Sequence, residues 1–162
     1  MQLQESDIWN FLKDVPDPEI PVINVVELGV VRKIEMQGEG VNIVITPTYT
    51  GCPAMKTIEQ DIHSRLLEAG IKKVNIQTVL TPAWTTDWIG PETKEKLRVY
   101  GIAPPEHSSE DKNILLGKTK TIACPLCKSI NTKMKSQFGS TACKALYQCQ
   151  DCLEPFDYFK CI

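Results

Sequence analysis

Cys124-Pro-Leu-Cys127 and Cys149-Gln-Asp-Cys152 decide how the C-terminal end of this 162-residue chain folds. Two cysteines three apart in a tight turn place both sulfurs on one side, suited to adjacent corners of a tetrahedron with metal–sulfur bonds of roughly 2.3 Å. A second such knuckle follows after 21 residues and closes the shell. Four thiolates leave no coordination position open, so the spacing predicts a structural site for zinc. An iron–sulfur cluster is the alternative occupant. A redox Cys-x-x-Cys belongs at a helix start after a strand, whereas this motif is duplicated. Residues 118–162 carry few apolar side chains for their length, so metal must supply much of their folding free energy. Cys143 and Cys161 are left over; each reads as a buried thiol, with replacement of one of the four ligands as the alternative.

Outward from this ribbon the composition changes. Residues 1–105 hold 10 basic and 14 acidic side chains, while residues 106–162 hold 8 and 6. From Lys118 to Gln150 there are six lysines and no acid. The stretch Ala103-Pro-Pro-Glu-His-Ser-Ser-Glu-Asp-Lys has the makeup of a linker. The expected organisation is an α+β domain over 1–105, a linker over 106–117 and a four-cysteine ribbon over 118–162. The N-terminal MQLQESDIWNFLKDV lacks a basic region and a long apolar stretch, so no signal peptide is read. No apolar run approaches the roughly 20 residues of a membrane span. The expected location is therefore the cytoplasm, where seven cysteines favour metal or thiol chemistry over disulfides.

In the first domain, Ser6 is the expected cap of a short helix carrying Ile8, Phe11 and Leu12. Asp17-Pro18-Glu19-Ile20-Pro21 then forms a stiff acidic loop, because each proline fixes its own φ and restricts its predecessor. Val30-Arg32-Ile34-Met36 and Val41-Ile43-Ile45 alternate around Gly38 and Gly40, as a hairpin with one buried face does. A helix to about Ala69 places Met55, Ile58, Ile62 and Leu66 on one stripe, with Gly70 as its cap. Val74 to Leu80 is a third strand, with Val74, Ile76 and Leu80 on one side. A last helix starts at Pro91 and stops at Gly101. Helices on one face of a small sheet give an α+β domain.

Thr46-Pro-Thr48-Tyr-Thr50-Gly-Cys52-Pro53 leads from a strand end into a helix. Pro53 at the first helical position makes Cys52 the cap or its neighbour. A thiol there meets free backbone N–H groups and the positive helix end, which favour thiolate. Thr46, Thr48 and Thr50 add hydroxyls. A cysteine that merely packs reads equally well from these residues alone. Trp84 and Trp88 lie in the irregular segment before the last helix, either as an exposed docking patch or as core plugs. His63 falls beside the apolar helix stripe and His107 in the linker, and neither is assigned a role. No phosphate loop, Ser-His-Asp arrangement or paired catalytic carboxylates are found.

Asp17-Pro-Glu-Ile-Pro21, Val26-Glu-Leu-Gly29 and the Thr46-x-Thr-x-x-x-Cys52-Pro53 segment resemble the MIP18-like family (DUF59) of iron–sulfur assembly factors over residues 5 to about 82. Pro82-Ala-Trp-Thr-Thr-Asp-Trp-Ile89, Leu97-Arg-Val-Tyr-Gly-Ile-Ala-Pro-Pro105, the stretch from Phe138 to Tyr147, and Glu154-Pro-Phe-Asp-Tyr-Phe-Lys-Cys161 are similar to the D-subunit family of bacterial phenylacetyl-CoA epoxidase systems. The resemblance implies an accessory maturation factor for the iron–sulfur or iron centres of such a system, not itself catalytic. It implies Cys52 as the functional cysteine, Asp17 and Glu19 as a signature loop, and a transient iron–sulfur cluster or iron as cargo. Implied partners are the oxygenase and reductase components and the iron–sulfur assembly machinery. One cysteine cannot hold a cluster alone, so a homodimer or a partner with further ligands is expected. A non-catalytic adaptor within the oxygenase is the alternative. A nucleic-acid-binding ribbon is a third reading, motivated by the lysines and by Phe138, Tyr147, Phe156, Tyr158 and Phe159. The absence of arginine from the ribbon and the acidic chain speak against it.

Overall fold

The computed structural model describes residues 2–105 and 121–160. The linker at 106–117, His107 and Cys161 lie outside the described residues. Contacts divide the chain into two compact units, between Trp84 and Thr85. This falls earlier than the boundary near 105 expected from composition.

The first unit opens with helix α1 (Glu5–Leu12), which buries Ile8 and Leu12. Its cap is Gln4 and not Ser6, because the Gln4 backbone N–H donates to the Asp7 carboxylate at 2.9 Å. Strands β1 (Val31–Gln37) and β2 (Gly40–Ile45) pair antiparallel, and β3 (Lys73–Thr78) lies parallel to β2. The parallel pair requires a crossover, which helix α2 (Ala54–Glu68) provides. Met55, Ile58, Ile62 and Leu66 are all buried along it, the stripe that 3.6-residue spacing demands. Each such side chain contributes about 1.5–3 kcal/mol of burial. Arg65 of α2 holds α1 in place, its guanidinium 2.7 Å from Asp14 and 5.1 Å above the Phe11 ring.

Two strand expectations shift. The β1 register slips between Val31 and Lys33, and Val30 and Val31 are both buried, while Met36, on the same face as Ile34, is 41% exposed near the strand's end. A bulge flips the side-chain alternation, which a strict period of two cannot anticipate. Strand β3 ends at Thr78, leaving Leu80 56% exposed rather than facing the core. Gly40 is required where it stands, since a Cβ there would lie 2.7 Å from the Lys73 Cβ and 2.8 Å from its carbonyl oxygen. The opposite sheet face carries a polar ladder. Lys33 Nζ donates to Glu35 at 2.5 Å, Asn42 Nδ2 to Glu35 at 2.9 Å, and Asn75 Nδ2 to Asn42 at 2.6 Å. Lys33 first, and Asn42 next, hold the Glu35 carboxyl below its ordinary range.

The second unit contains helix α3 (Pro91–Tyr100), capped at its end by Gly101 at φ +97°, and the short strand β4 (Ile102–Ala103). Strands β5 (Thr132–Ser136), β6 (Lys144–Cys149) and β7 (Pro155–Phe159) complete a sheet ordered β4-β7-β6-β5. Strand β4 pairs parallel with β7, and the other neighbours are antiparallel. Helix α3 thus falls in the same unit as the ribbon sheet. Tyr147, Phe156 and Tyr158 form the small core with Ile122 and Ala145, the Tyr147 ring 5.9 Å from Phe156 and 6.0 Å from Tyr158. Tyr147, Phe156 and Tyr158 are consumed by packing, whereas Phe138 is 53% exposed with Lys160 Nζ 4.2 Å above its ring.

Candidate metal centre and cysteine loop

The two knuckles of the ribbon are built alike. The Cys124 N–H donates to the Ser129 carbonyl at 2.9 Å, and the Cys149 N–H to the Glu154 carbonyl at 3.0 Å. Each closing loop turns back through a left-handed residue directly after its second cysteine, Lys128 at φ 64° and Leu153 at φ 65°. That conformation costs a non-glycine residue roughly 1–2 kcal/mol, so something must hold it. A polar bridge between the knuckles helps. Asp151 accepts from the Ser129 hydroxyl and from Asn131 Nδ2 at 3.0 Å, and the Gln150 N–H donates to the Asn131 carbonyl at 2.8 Å. Ser129 first and Asn131 second draw the Asp151 carboxyl below its ordinary range. Nothing in the knuckle spacing announced this bridge.

The four sulfurs of Cys124, Cys127, Cys149 and Cys152 all lie within 4.8 Å of one another. Cys124 Sγ is 3.7 Å from Cys152 Sγ, and Cys127 Sγ is 3.5 Å from Cys149 Sγ. A tetrahedron with zinc–sulfur bonds of roughly 2.3 Å has edges of about 3.8 Å, so these donors fit the ion. The thiols do not titrate alike. The Cys152 N–H, 3.5 Å from Cys149 Sγ, is the main cause that brings Cys149 down to about 7. At Cys152 the Glu154 N–H pulls downward, but burial and the neighbouring sulfurs push the thiol up to about 12. Four anions resist sharing this space unless a cation joins them. Cys143 is apart from the cage, a buried thiol 3.1 Å from the Thr141 hydroxyl.

Cys52 stands in the other unit and in different company. It precedes Pro53, which is the cap residue of α2, so the cysteine is the neighbour of the cap. Its N–H donates to the Tyr49 carbonyl at 3.2 Å and its carbonyl accepts from Met55 at 3.3 Å, which pins the turn. Gly51 at φ +80° permits that turn. The half-buried sulfur receives the Thr48 hydroxyl at 3.9 Å. Of the other two threonines, Thr46 is buried with its hydroxyl unpartnered and Thr50 is exposed. Among the described residues, no group of three or more His, Cys, Asp and Glu side chains placed to hold a metal ion includes Cys52.

Asp17 has a structural task. Its Oδ1 accepts from the Glu19 N–H at 2.9 Å and the Ile20 N–H at 2.7 Å, while its own N–H donates to the Ile23 carbonyl at 2.9 Å. Glu19 is half-buried on the loop so formed. Asn24, which sequence reasoning passed over, builds the next turn by accepting from the Val26 and Glu27 N–H groups at 3.0 and 2.9 Å. Of the two alternatives for Trp84, its burial matches the core plug: it is 5% exposed and its Nε1 donates to the Leu28 carbonyl at 2.9 Å. An indole that finds one acceptor can be buried whole. Trp88 is half-buried and His63 is exposed.

The described residues form a small α+β domain with a cysteine beside its helix start, followed by a ribbon whose four cysteines are placed to hold a metal ion. No described helix is long and apolar enough to cross a membrane. Residues 5–78 match the iron–sulfur cluster assembly protein family, and residues 108–160 match the PaaD zinc β-ribbon domain. The chain is 47% identical, over 98% of its length and 94% of the relative's, to the D-subunit of a putative 1,2-phenylacetyl-CoA epoxidase of Escherichia coli. It is 35% identical to an Fe-S protein maturation auxiliary factor of Porphyromonas gingivalis, across 57% of this chain and 90% of that one. A crystal structure of a DUF59 domain from Bacillus anthracis superposes with a TM-score of 0.54 at 25% identity, covering 57% of this chain and 90% of that one. The chain belongs to the MIP18-like (DUF59) iron–sulfur cluster assembly family, in the branch that carries a PaaD zinc ribbon.

Proposed function

We propose that this protein is an accessory factor that matures iron–sulfur or iron centres of a phenylacetyl-CoA epoxidase system, in the cytoplasm, with no catalytic step of its own. The observation that carries the reading is the contrast between Cys52 and the cage. The ribbon cysteines suit a resident structural zinc, which Cys124, Cys127, Cys149 and Cys152 would hold. Cys52 is a soft donor with one hydroxyl on its sulfur and, among the described residues, belongs to no group of three or more metal-ligating side chains, so it can bind cargo and release it. The remaining ligands for a cluster come from a second copy, the assembly machinery or the client oxygenase or reductase. Asp17 shapes the signature loop and Glu19 is presented on it. Cys52→Ser tests the reading: client activity and client iron should fall with the ribbon's zinc retained. Full client activity with normal iron would remove it.

A second reading rests on a separate observation. Leu126, Ile130 and Leu153 flank the knuckles and are 59%, 73% and 66% exposed. Exposed aliphatic side chains beside a rigid cage suit an adaptor that docks on the oxygenase. Stoichiometric co-purification that ignores Cys52 but is lost on Leu126→Asp favours this reading.

A further inference from the structure

The two sheets present four outer edges among the described residues, and three of them are defended. Strand β1 carries a register slip and the charges Arg32, Lys33 and Glu35. Strand β5 carries a slip between Met134 and Ser136 and the exposed Lys133 and Lys135. Strand β4 is two residues long. Bulges, charges and shortness are the ordinary means of keeping strand edges from pairing. Strand β3 has none of these beyond Lys73 at its first position. It runs six residues in unbroken register with β2, with neither charge nor proline from Val74 to Thr78.

The side chains along that edge are also unfinished. Val74 and Ile76 are only half-buried, and they line a cleft of about 340 Å³ with Glu59, Gln60, His63 and Ser64 of α2. Charge is distributed unequally along it. Lys72 and Lys73 mark the N-terminal end of β3, while Glu59 sits at the C-terminal end, where the Thr78 hydroxyl donates to it at 3.1 Å.

We propose that β3 pairs antiparallel with β3 of a second copy of this chain, joining two three-stranded sheets into one. In an antiparallel pair, opposed residues share a face. Pairing centred on Ile76 sets Ile76 against Ile76 and Val74 against Thr78 on the helix side, and Asn75 against Gln77 on the polar side. The same arrangement lays each copy's lysine end beside the other's Glu59, whereas a parallel pairing would set lysine against lysine. The edge is complementary to itself in hydrogen bonding, apolar contact and charge together, which is why a second copy is the occupant. The shared surface is small, so the dimer is weak and concentration-dependent. This does not rest on any role for Cys52.

Sedimentation equilibrium of the full zinc-loaded chain, with amide hydrogen exchange across the same concentrations, tests the interface. The expected result is a reversible monomer–dimer equilibrium with β3 amides slowing as dimer forms. Glu59→Lys and Lys72→Glu should each weaken association roughly tenfold. Mixing these two variants should restore it, because each then meets its opposite charge, and that recovery also shows both are folded. A chain that stays monomeric at every concentration overturns the proposal and leaves the edge to a foreign strand. A dimer with unchanged β3 exchange, or a mixture that fails to recover, overturns it as well.

Discussion

Between residues 46 and 53 one sulfur stands half-open at the entrance of a helix, with a single threonine hydroxyl on it. Between residues 124 and 152 four sulfurs lie within 4.8 Å of one another on two matched turns. The side chain is the same, and the backbone decides what it can do. A knuckle closed by an N–H bond to a carbonyl five residues on aims two sulfurs at one point, and repeating it completes a coordination shell. A turn into α2 leaves one sulfur half-buried and, among the described residues, outside any group of three or more metal-ligating side chains. A resident ion suits the first geometry, and exchange of cargo is what we propose for the second.

The comparison breaks most visibly at the cage. Cys149→Ser, or chelation at neutral pH, should remove the metal and abolish slow amide exchange in β5, β6 and β7. Structural zinc contributes about 10–16 kcal/mol to domains of this size, more than a small aromatic core can replace. Acidification should act in the same direction, since protons compete with the metal for four thiolates and affinity falls as pH falls. Cys52→Ser should leave those strands protected. Retention of slow exchange after metal removal would mean that the core around Tyr147 folds unaided.

Trp84→Ala should be the next largest effect, costing about 3–5 kcal/mol in urea unfolding of the first unit. Trp84→Phe keeps most of the ring but strands the Leu28 carbonyl, and should cost about 1–3 kcal/mol. If both are neutral, the indole is not the plug its burial indicates. Asp17→Ala should cost about 1–3 kcal/mol through two lost backbone acceptor contacts, and Asp17→Asn much less, because Oδ1 survives. That pair separates a loop-shaping Asp17 from one that meets cargo: equal loss of client iron in a stable Asp17→Asn would favour contact. Cys52→Ser should change stability least, by under about 1 kcal/mol, while lowering client activity.

Much of this was legible in the residues. The α2 stripe, the hairpin glycines and the two knuckles follow from periodicity and spacing, which are local signals. The misses share a cause. Ile102 and Ala103 carry no strand signal of their own, yet they pair with Asp157 and Tyr158 over 50 residues away and carry α3 into the ribbon unit. The Asp151 bridge to Ser129 and Asn131 also joins residues that no short window contains. At the candidate site, Thr48 meets Cys52 because they flank one tight turn, whereas Thr46 alternates into the core and Thr50 into solvent. Ser6 lost the cap to Gln4 because Asp7 supplied the acceptor.

The most direct test of an open cysteine beside a closed cage is a count of zinc, iron and sulfide per chain, for wild type and Cys52→Ala, after anaerobic reconstitution. Zinc should stay near one per chain in both, with iron and sulfide bound by wild type and lost in the variant. Iron and sulfide retained in full by Cys52→Ala, or taken up by neither protein, would contradict an open, exchanging Cys52.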